Sequence, residues 1–530
     1  MSTMPEWADP AVPDQQLDRQ GLSRRGMLRR AGLFGAGFAA AAALPTEAAV
    51  AAPASDPDLV YLVGDHHVHT VYSHDAKYTL AQAARRAAQF GLDWMVCTEH
   101  SNFGHDHLGA ALEHNDILAA RAENPRMLIF QGLEWYIPGA EHATVFTPPG
   151  PDEAEILRRF ERAFDGKLLA SSDEGLAIAA LKWLAASGTE ALVLANHPSR
   201  LGIDSPHELR AWHDAAPGVM IGMEGAPGAQ GAALPGRGAT SIRGEYENKP
   251  SAQSWPGYPA EAYVTHGGFD WMTATVGGLW DALLAEGRLF TITSNSDNHR
   301  TVYDTLRNGD WAPGANFDTT GKVPDPVEAG APQPGSDFWP GQFSRTHVGV
   351  TRYGYREVMA GLRAGRVWVD HGQLVDGLDV RLTSAGGRSA TLGGRLRARR
   401  GERLTLTVTV TSASRPNFHG SVPRLAFLDV IRGAVRGRSA DRDAWQAPDT
   451  RVIDTADVSR RNGRYTVRFS ITVRESAYLR IRGSDGRRTG PGPLGRHIDP
   501  HGPLPHPPGD GDPWLDTWLY TNPIFIDVSR

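Results

Sequence analysis

The chain divides into two regions by the spacing of its apolar residues. Between residues 59 and 371, short apolar runs alternate with segments in which apolar residues recur every three or four positions. This alternation predicts βα units and a mainly parallel sheet or barrel. Strands are expected at 59–63, 94–97, 127–133, 191–195, 219–223, 289–293 and 367–369, and helices at 79–90, 176–186, 278–285 and 355–363.

The pattern changes after residue 375. Leu404, Leu406, Val408 and Val410 alternate with threonine, and residues 465–473 alternate in the same way. A period of two is typical of antiparallel strands with one buried face. The expected fold is therefore α/β, with a barrel-type domain over 55–375 followed by an antiparallel β-sandwich accessory domain over 376–530.

Residues 1–54 have the layout of an export signal. Arg24 and Arg25 precede an apolar stretch at 31–44 and then small residues suited to cleavage, which resembles a twin-arginine signal peptide. The apolar stretch is shorter than the roughly 20 residues that span a bilayer, so a removed signal is favoured over a membrane anchor. We expect the twin-arginine machinery to export the folded chain, leaving a secreted or cell-envelope protein without an integral membrane segment.

Charge and cysteine content exclude some functions. The 530 residues include 54 Lys and Arg against 60 Asp and Glu, a net charge of -6, so nucleic acid is not an expected partner. A single cysteine, Cys97, excludes a disulfide framework and a cysteine-based zinc site. Residues 376–530 contain 25 Arg, no Lys and 16 acidic residues, a net of +9, whereas residues 55–375 carry 24 basic and 39 acidic residues, a net of -15. The two regions should attract each other.

Histidines and carboxylates follow several predicted strands. In a barrel of βα units the carboxyl ends of the strands converge on one face, so these side chains should meet there. His67 and His69 form a His-x-His pair, which places both rings on the same side of an extended strand. A carboxylate such as Glu134 can bridge two ions held about 3.5–4 Å apart. Ligands made only of nitrogen and oxygen suit zinc, manganese or iron.

The order of these motifs resembles the PHP superfamily, named for polymerase and histidinol phosphatase. The resemblance implies a distorted (β/α)7 barrel with two or three divalent metal ions at its carboxyl face. It also implies three ligand sets, with His74 left open as an alternative to Asp75 and with Glu99 standing where the family usually has aspartate. The sets are His67, His69, Glu134 and Asp297 for a first ion, Glu134, His142 and His197 for a second, and Asp75, His100 and His299 for a third.

The expected function is that of an exported phosphoesterase that hydrolyses small phosphomono- or phosphodiesters with a metal-bound hydroxide. Residues 277–288 are similar to an extracytoplasmic bacterial branch that includes carbaryl-type ester hydrolases, so a carboxyl or carbamate ester remains an alternative substrate. A secreted binding protein with an inactive barrel is the alternative from another class. Arg200 and Arg300 are candidates to grip a substrate oxygen, or else form surface ion pairs. His266 or a metal-bound water would protonate the leaving group; the oligomeric state stays open.

Overall fold

A computed structural model describes residues 59–101, 104–227, 249–299, 306–328, 338–505 and 513–529. The predicted signal segment 1–54 and the candidate Arg300 lie outside the described residues. Within the described residues, no helix is both long and apolar enough to cross a membrane.

The first region is a mixed sheet flanked by helices. The strands of this sheet are β1 Val60–Val68, β2 Trp94–His100, β3 Leu128–Tyr136, β4 His142–Phe146, β5 Leu192–Ala195, β6 Met220–Ala226, β7 Thr291–Ser294, β10 Ser344–Val350 and β11 Val367–His371. Strands β8 Leu306–Asn308 and β9 Pro326–Glu328 form a separate two-stranded sheet. Strands β1, β2 and β3 are parallel, as are β5, β6 and β7. Strands β4 and β10 run antiparallel to their neighbours, which the predicted repetition of βα units did not anticipate.

The helices are α1 Leu80–Gln89, α2 Ala110–Glu123, α3 Glu153–Phe164, α4 Glu174–Ala186, α5 Pro206–Ala215, α6 Trp271–Ala274, α7 Leu279–Ala285, α8 Phe317–Thr320 and α9 Tyr355–Arg363. Helix α1 starts at a capping box. The Thr79 hydroxyl accepts from the backbone amide of Gln82, and the side-chain oxygen of Gln82 accepts from the backbone amide of Thr79. Its apolar face, including Leu80 and Ala84, packs in one core with Met95 of β2. Packing of this kind fixes the helices against the sheet and leaves the strand ends open for other side chains.

Side chains connect β7 with the opposite side of the sheet. The Ser294 amide donates to Thr346 Oγ1 of β10 at 2.8 Å, and that hydroxyl donates to the Ser294 carbonyl at 2.6 Å. The Asn522 side chain accepts from the Ile292 amide at 2.9 Å and donates to the Val367 carbonyl of β11 at 3.2 Å. The sheet therefore curves until β7 lies beside β10 and β11, and the carboxyl ends of the parallel strands surround one space.

The second region is built mainly from antiparallel strand pairs. Its strands are β12 Val375–Ser384, β13 Ser389–Thr391, β14 Arg395–Arg399, β15 Arg403–Ser412, β16 Phe427–Ala434, β17 Arg451–Asp457, β18 Arg464–Thr472, β19 Ala477–Ser484, β20 Thr489–Gly490, β21 Gly502–Pro503, β22 Trp518–Thr521 and β23 Ile524–Ser529. A four-stranded sheet has the order β13-β12-β15-β18. Its buried residues share a core with those of β16, β19 and β23, so two layers face each other.

The two regions share a continuous ladder. Strand β22 pairs antiparallel with β11, and this joins the strands around β19 to the first region in one 15-stranded sheet. Buried charges reinforce the junction: Arg480 of β19 makes two hydrogen bonds, of 2.8 and 2.7 Å, to the carboxylate of Asp281 in α7, and both side chains are fully buried. Arg438 and Arg442 of the second region also pair with Asp214 of the first region, at 2.7 and 2.8 Å, so several ion pairs join the two regions.

Candidate metal centre

The ends of five strands and the start of a sixth deliver the predicted ligands to one place. His67 and His69 come at the end of β1, His100 ends β2 and Glu134 lies near the end of β3. His142 opens the antiparallel strand β4, so its start lies where the parallel strands finish. His197 follows β5, and Asp297 and His299 follow β7.

Glu134 is the centre of the cluster. Its two carboxylate oxygens lie within 3.3 Å of imidazole nitrogens from five histidines, and its side chain is almost fully buried. The five are His67, His69, His100, His142 and His197. Since they come from four different strand ends, one carboxylate joins ligand groups from across the sheet.

The outer hydrogen bonds of His67 and His69 determine which ring nitrogens face inward. His67 Nδ1 lies 2.6 Å from a Glu224 carboxylate oxygen, which can only accept. His69 Nδ1 lies 2.8 Å from the hydroxyl of Ser73, which itself donates to Glu99 at 2.6 Å and so accepts from the ring. Both Nδ1 atoms therefore carry hydrogen, and the two Nε2 lone pairs face each other at 3.0 Å. Two Nε2 atoms this close need a positive charge beside them, either a proton on one ring or a metal ion, so these residues fit a bound metal ion.

A second pair of imidazoles repeats this arrangement. His299 Nδ1 donates to the Asp297 carbonyl at 2.9 Å, and His100 Nδ1 lies 2.8 Å from Glu134 Oε2. Their Nε2 atoms are 3.3 Å apart, and Asp75 Oδ1 lies 3.4 Å from each. The side chain of His74 reaches the same group through His100 and Asp75, but it is exposed. Asp75, His100 and His299 thus come together, and His74 lies at their outer edge.

The remaining ligand set lies on the other side of Glu134. His142 Nδ1 and His197 Nε2 lie 2.9 and 3.2 Å from Glu134 Oε1. The other nitrogen of His197 is 3.5 Å from Glu141, whose carboxylate pairs with Arg200 at 3.3 Å. Asp297 Oδ1 approaches His67 at 3.3 Å and His69 at 3.4 Å, on the first side. The predicted ligand sets thus correspond to neighbouring groups of atoms around one carboxylate.

Burial and charge together shift the pKa values of this cluster. Burial alone would lower the pKa of His67, but the carboxylates of Asp297, Glu224 and Glu134 raise it well above its usual value. The same balance raises the pKa of His100 to about 10, mainly through Glu134. Burial would raise the pKa of Glu134, yet the surrounding imidazoles hold it well below its usual value. The carboxylates thus favour positive charge on the neighbouring imidazoles. Divalent cations would supply that positive charge instead, and the imidazoles would release their protons.

Two of the predicted ligands have strained backbones. His197 has φ of +30° and Asp297 has φ of +42°, both in the left-handed region that residues with side chains rarely occupy. Such conformations cost of order 1–3 kcal/mol and persist where the surroundings enforce them, most often at functional sites. At His197 the Glu224 carboxylate accepts from the backbone amide at 2.6 Å, which holds the turn in place.

Sequence reasoning missed Glu224 and Ser73, which orient the ligands. Glu224 directly follows the strand predicted at 219–223 and lies inside the buried strand β6 of the structure. Ser73 lies in the loop after β1 and links His69 to Glu99, the residue that stands where the PHP superfamily usually has aspartate. The signal that could have found Glu224 is a lone carboxylate in an otherwise apolar, fully buried strand.

The three residues predicted to contact the substrate differ in their position relative to the cluster. Arg200 lies at the edge of the cluster and pairs with Glu141, so it is close to His197 but part of its charge is already matched. His266 lies within hydrogen-bond distance of the Glu261 carbonyl, at 3.1 Å, and its backbone pairs with Phe269, which assigns it to that turn. Arg300 lies outside the described residues.

Four aromatic side chains that could line a pocket for an aryl substrate pack into or against the hydrophobic core instead. Trp135, Tyr258 and Trp271 belong to the main hydrophobic core, and Trp255 packs against it. The Trp135 indole donates to the Phe164 carbonyl, and the Tyr258 hydroxyl donates to the Asp204 carbonyl. These side chains stabilise the fold and are not available as the walls of a binding pocket.

Comparison with known proteins is consistent with the geometry. No curated protein matches the chain. A two-domain protein from Bacteroides vulgatus ATCC 8482, named as containing a predicted PHP-like metal-dependent phosphoesterase, aligns over 82% of this chain and 95% of its own at 15% identity and a TM-score of 0.32. A candidate metal-dependent phosphoesterase from Bifidobacterium adolescentis ATCC 15703 aligns over 49% of this chain and 92% of its own at 14% identity and a TM-score of 0.24. Scores this low do not establish a shared fold. Residues 65–197, which hold every predicted ligand except Asp297 and His299, match the family model of the PHP domain.

Proposed function

We propose that this protein is an exported metal-dependent phosphoesterase that hydrolyses small phosphomono- or phosphodiesters. The observation that carries the proposal is Glu134, a buried carboxylate in contact with five imidazoles whose outer hydrogen bonds turn lone pairs inward. In this proposal the curved sheet acts as the distorted (β/α)7 barrel of the PHP superfamily, and two or three ions of zinc, manganese or iron occupy the cluster.

The residues divide into ligands and groups that orient them. The first ion would be held by His67, His69, Glu134 and Asp297, the second by Glu134, His142 and His197, and the third by Asp75, His100 and His299. When bound, divalent ions supply a lowered pKa for water and stabilise negative charge on the ester oxygens. Glu224 fixes the ring of His67, Ser73 fixes that of His69, and Glu141 orients His197 toward Glu134.

A phosphoester is favoured over an aryl carbamate. The side chains that would have lined an aromatic pocket belong to the core, whereas Arg200 lies at the edge of the cluster with a guanidinium group suited to an anionic oxygen. The carbaryl-type relationship inferred from residues 277–288 therefore remains the alternative to be tested, together with a binding protein that has lost activity.

The test is a substrate panel on the metal-loaded protein. Aryl phosphate, aryl phosphodiester and aryl carbamate are each assayed after reconstitution with zinc, manganese or iron, with and without chelator. We expect chelator-sensitive hydrolysis of the phosphoesters. Turnover of the carbamate alone would replace the proposed substrate class, and no turnover of any ester by a protein that binds metal would favour the inactive binding protein.

Variants test the site assignment. His67→Gln and Glu134→Gln should abolish turnover, because each removes a ligand shared within the cluster. His347→Gln is the matched control: His347 is also buried and also lies 2.8 Å from a carboxylate, that of Asp370, but in the β10–β11 pair. Loss of activity in all three variants would indicate general damage to the fold and would refute the assignment.

Export by the twin-arginine route is part of the proposal. It rests on Arg24 and Arg25 ahead of the apolar stretch at 31–44. Replacement of both arginines by lysine in the full chain should retain the protein in the cytoplasm, and fractionation of the host cells with detection of the chain would measure this. Unchanged export would exclude the twin-arginine route.

A further inference from the structure

A lysine that no ligand motif includes lies beside the cluster. Lys167 is exposed, and its Nζ lies 4.7 Å from the ring centre of Tyr136, the last residue of β3. That ring packs edge-on against His142 with centres 4.2 Å apart, and the Tyr136 hydroxyl lies 3.4 Å from His100 Nδ1. Two contacts therefore connect an ammonium group to imidazoles of both the second and the third ligand sets.

The loop that carries Lys167 is fastened to the end of β3. The buried carboxylate of Asp165 accepts hydrogen bonds from the amides of Lys167 at 2.9 Å and Leu168 at 2.7 Å through one oxygen. Its other oxygen accepts from the Tyr136 amide at 3.2 Å and from Ser101. One carboxylate thus holds both the lysine loop and the strand that supplies Glu134.

The fit at residue 166 allows no side chain. The Gly166 amide donates to the Tyr136 carbonyl at 2.8 Å, and a Cβ at this position would lie 2.9 Å from Pro138 Cα and 3.1 Å from the Tyr136 carbonyl oxygen. Such distances are too short for any residue but glycine. The close approach holds the backbone of the loop that carries Lys167 against the end of β3.

Among the described residues, Arg200 and Lys167 approach the cluster through different neighbours. Arg200 pairs with Glu141 on the side of His197, so its charge is partly balanced. Lys167 lies over the face of Tyr136, whose ring and hydroxyl contact the imidazoles of His142 and His100. An ammonium group in that place attracts an anion that reaches His142 or His100.

We propose that Lys167 binds the terminal phosphoryl oxygens of the substrate and gives the enzyme a preference for phosphomonoesters over diesters. This inference rests on the proposed function and names its substrate class. A monoester presents two negative charges to Lys167 and the cluster, a diester one and a carbamate none, so the contribution of the ammonium group should decrease in that order.

The experiment compares Lys167→Met with Lys167→Arg and with Lys182→Met in the full, metal-loaded chain. Lys182 is an exposed lysine on α4 and serves as the matched control for loss of one positive charge. KM and kcat are measured for an aryl phosphate, an aryl phosphodiester and an aryl carbamate. The dissociation constant of inorganic phosphate is measured by calorimetry, which does not depend on turnover.

Lys167→Met should raise KM for the monoester and weaken phosphate binding about tenfold, as loss of a hydrogen bond to a charged group does. The diester should be affected less, the arginine variant should recover most of the loss, and Lys182→Met should match the unaltered protein. Equal behaviour of Lys167→Met and Lys182→Met in both measurements would overturn the inference while leaving phosphoesterase activity in place. If no phosphoester is turned over, the proposed function fails, and the phosphate titration alone decides whether Lys167 binds the anion.

Discussion

Replacement of Glu224 by glutamine tests how the cluster is organised. The side chain of Glu224 is fully buried, and its two oxygens accept two separate hydrogen bonds, one from His67 Nδ1 and one from the His197 amide, each at 2.6 Å. Glutamine has the same shape but only one accepting oxygen. Whichever way the amide is turned, its NH2 group must face one of these two donors.

The structure gives the size of the effect. If the NH2 group faces the His197 amide, a strained turn loses the bond that holds it. If it faces His67, it favours the tautomer with hydrogen on Nε2, the atom that points toward His69 and Glu134. A mispaired buried donor costs about 1–3 kcal/mol, and loss of an orienting partner weakens metal binding about 10- to 100-fold. We therefore expect a 10- to 100-fold loss of metal affinity with little change in overall fold.

The assay is a competition titration of the apo-protein against a chromophoric chelator. Glu161→Gln is the control, because Glu161 is equally buried and lies 2.9 Å from Nδ1 of His105, a histidine in none of the ligand sets. Circular dichroism verifies the fold of both variants. A Glu224→Gln protein that binds metal as tightly as the unaltered chain, or a Glu161→Gln protein that loses as much affinity, would refute the reasoning.

Three further predictions concern stability. Asp281→Asn should lower the free energy of unfolding by about 3–5 kcal/mol, because it leaves the guanidinium of Arg480 buried without its carboxylate. Urea denaturation should show this loss of stability, and the double variant Asp281→Leu with Arg480→Met should recover most of it. Burial and the charge of Arg288 lower the pKa of His213 to about 4. The unfolded chain therefore binds this proton first, and the free energy of unfolding should fall by about 3 kcal/mol as the pH drops from 6.5 to 4. Urea midpoints measured across this range should lose that pH dependence in His213→Gln, and an unchanged pH dependence would contradict the assignment. Removal of metal by a chelator should lower the melting temperature by several degrees, because ligands that bind only the folded state stabilise it. Addition of zinc or manganese should restore the melting temperature. A melting temperature that does not change with chelator would argue against bound metal in the cluster.

The sequence predicted local structure well where one face of an element is buried. The helix expected at 355–363 has those bounds, and the one expected at 79–90 differs from α1 by one residue at each end. The alternation of threonine with apolar residues from Leu404 to Val410 predicted an antiparallel strand, and this segment is the antiparallel strand β15. Helices α2, α3 and α5 were missed. Helix α2 has charged and apolar residues on mixed faces, so its periodicity is weak.

The order of the parallel strands is a tertiary property. The antiparallel insertion of β4 follows from its pairing with β3 and β5, and that of β10 from its pairing with β1 and β11. A period of two or a run of apolar residues is the same in either direction of pairing, so the pattern along the chain carries no sign of it.

The sequence by itself determined which chemical groups stand at the strand ends, because a His-x-His pair or a carboxylate directly after an apolar run has its position fixed by the geometry of a single strand. Only the tertiary structure decided the partners of those groups. Glu224 meets His67 across 157 residues, Arg200 is matched by Glu141, and Lys167 reaches the cluster through Tyr136. Contacts between distant segments depend on how the sheet curves and how loops return to it, and no local pattern of residues encodes that path.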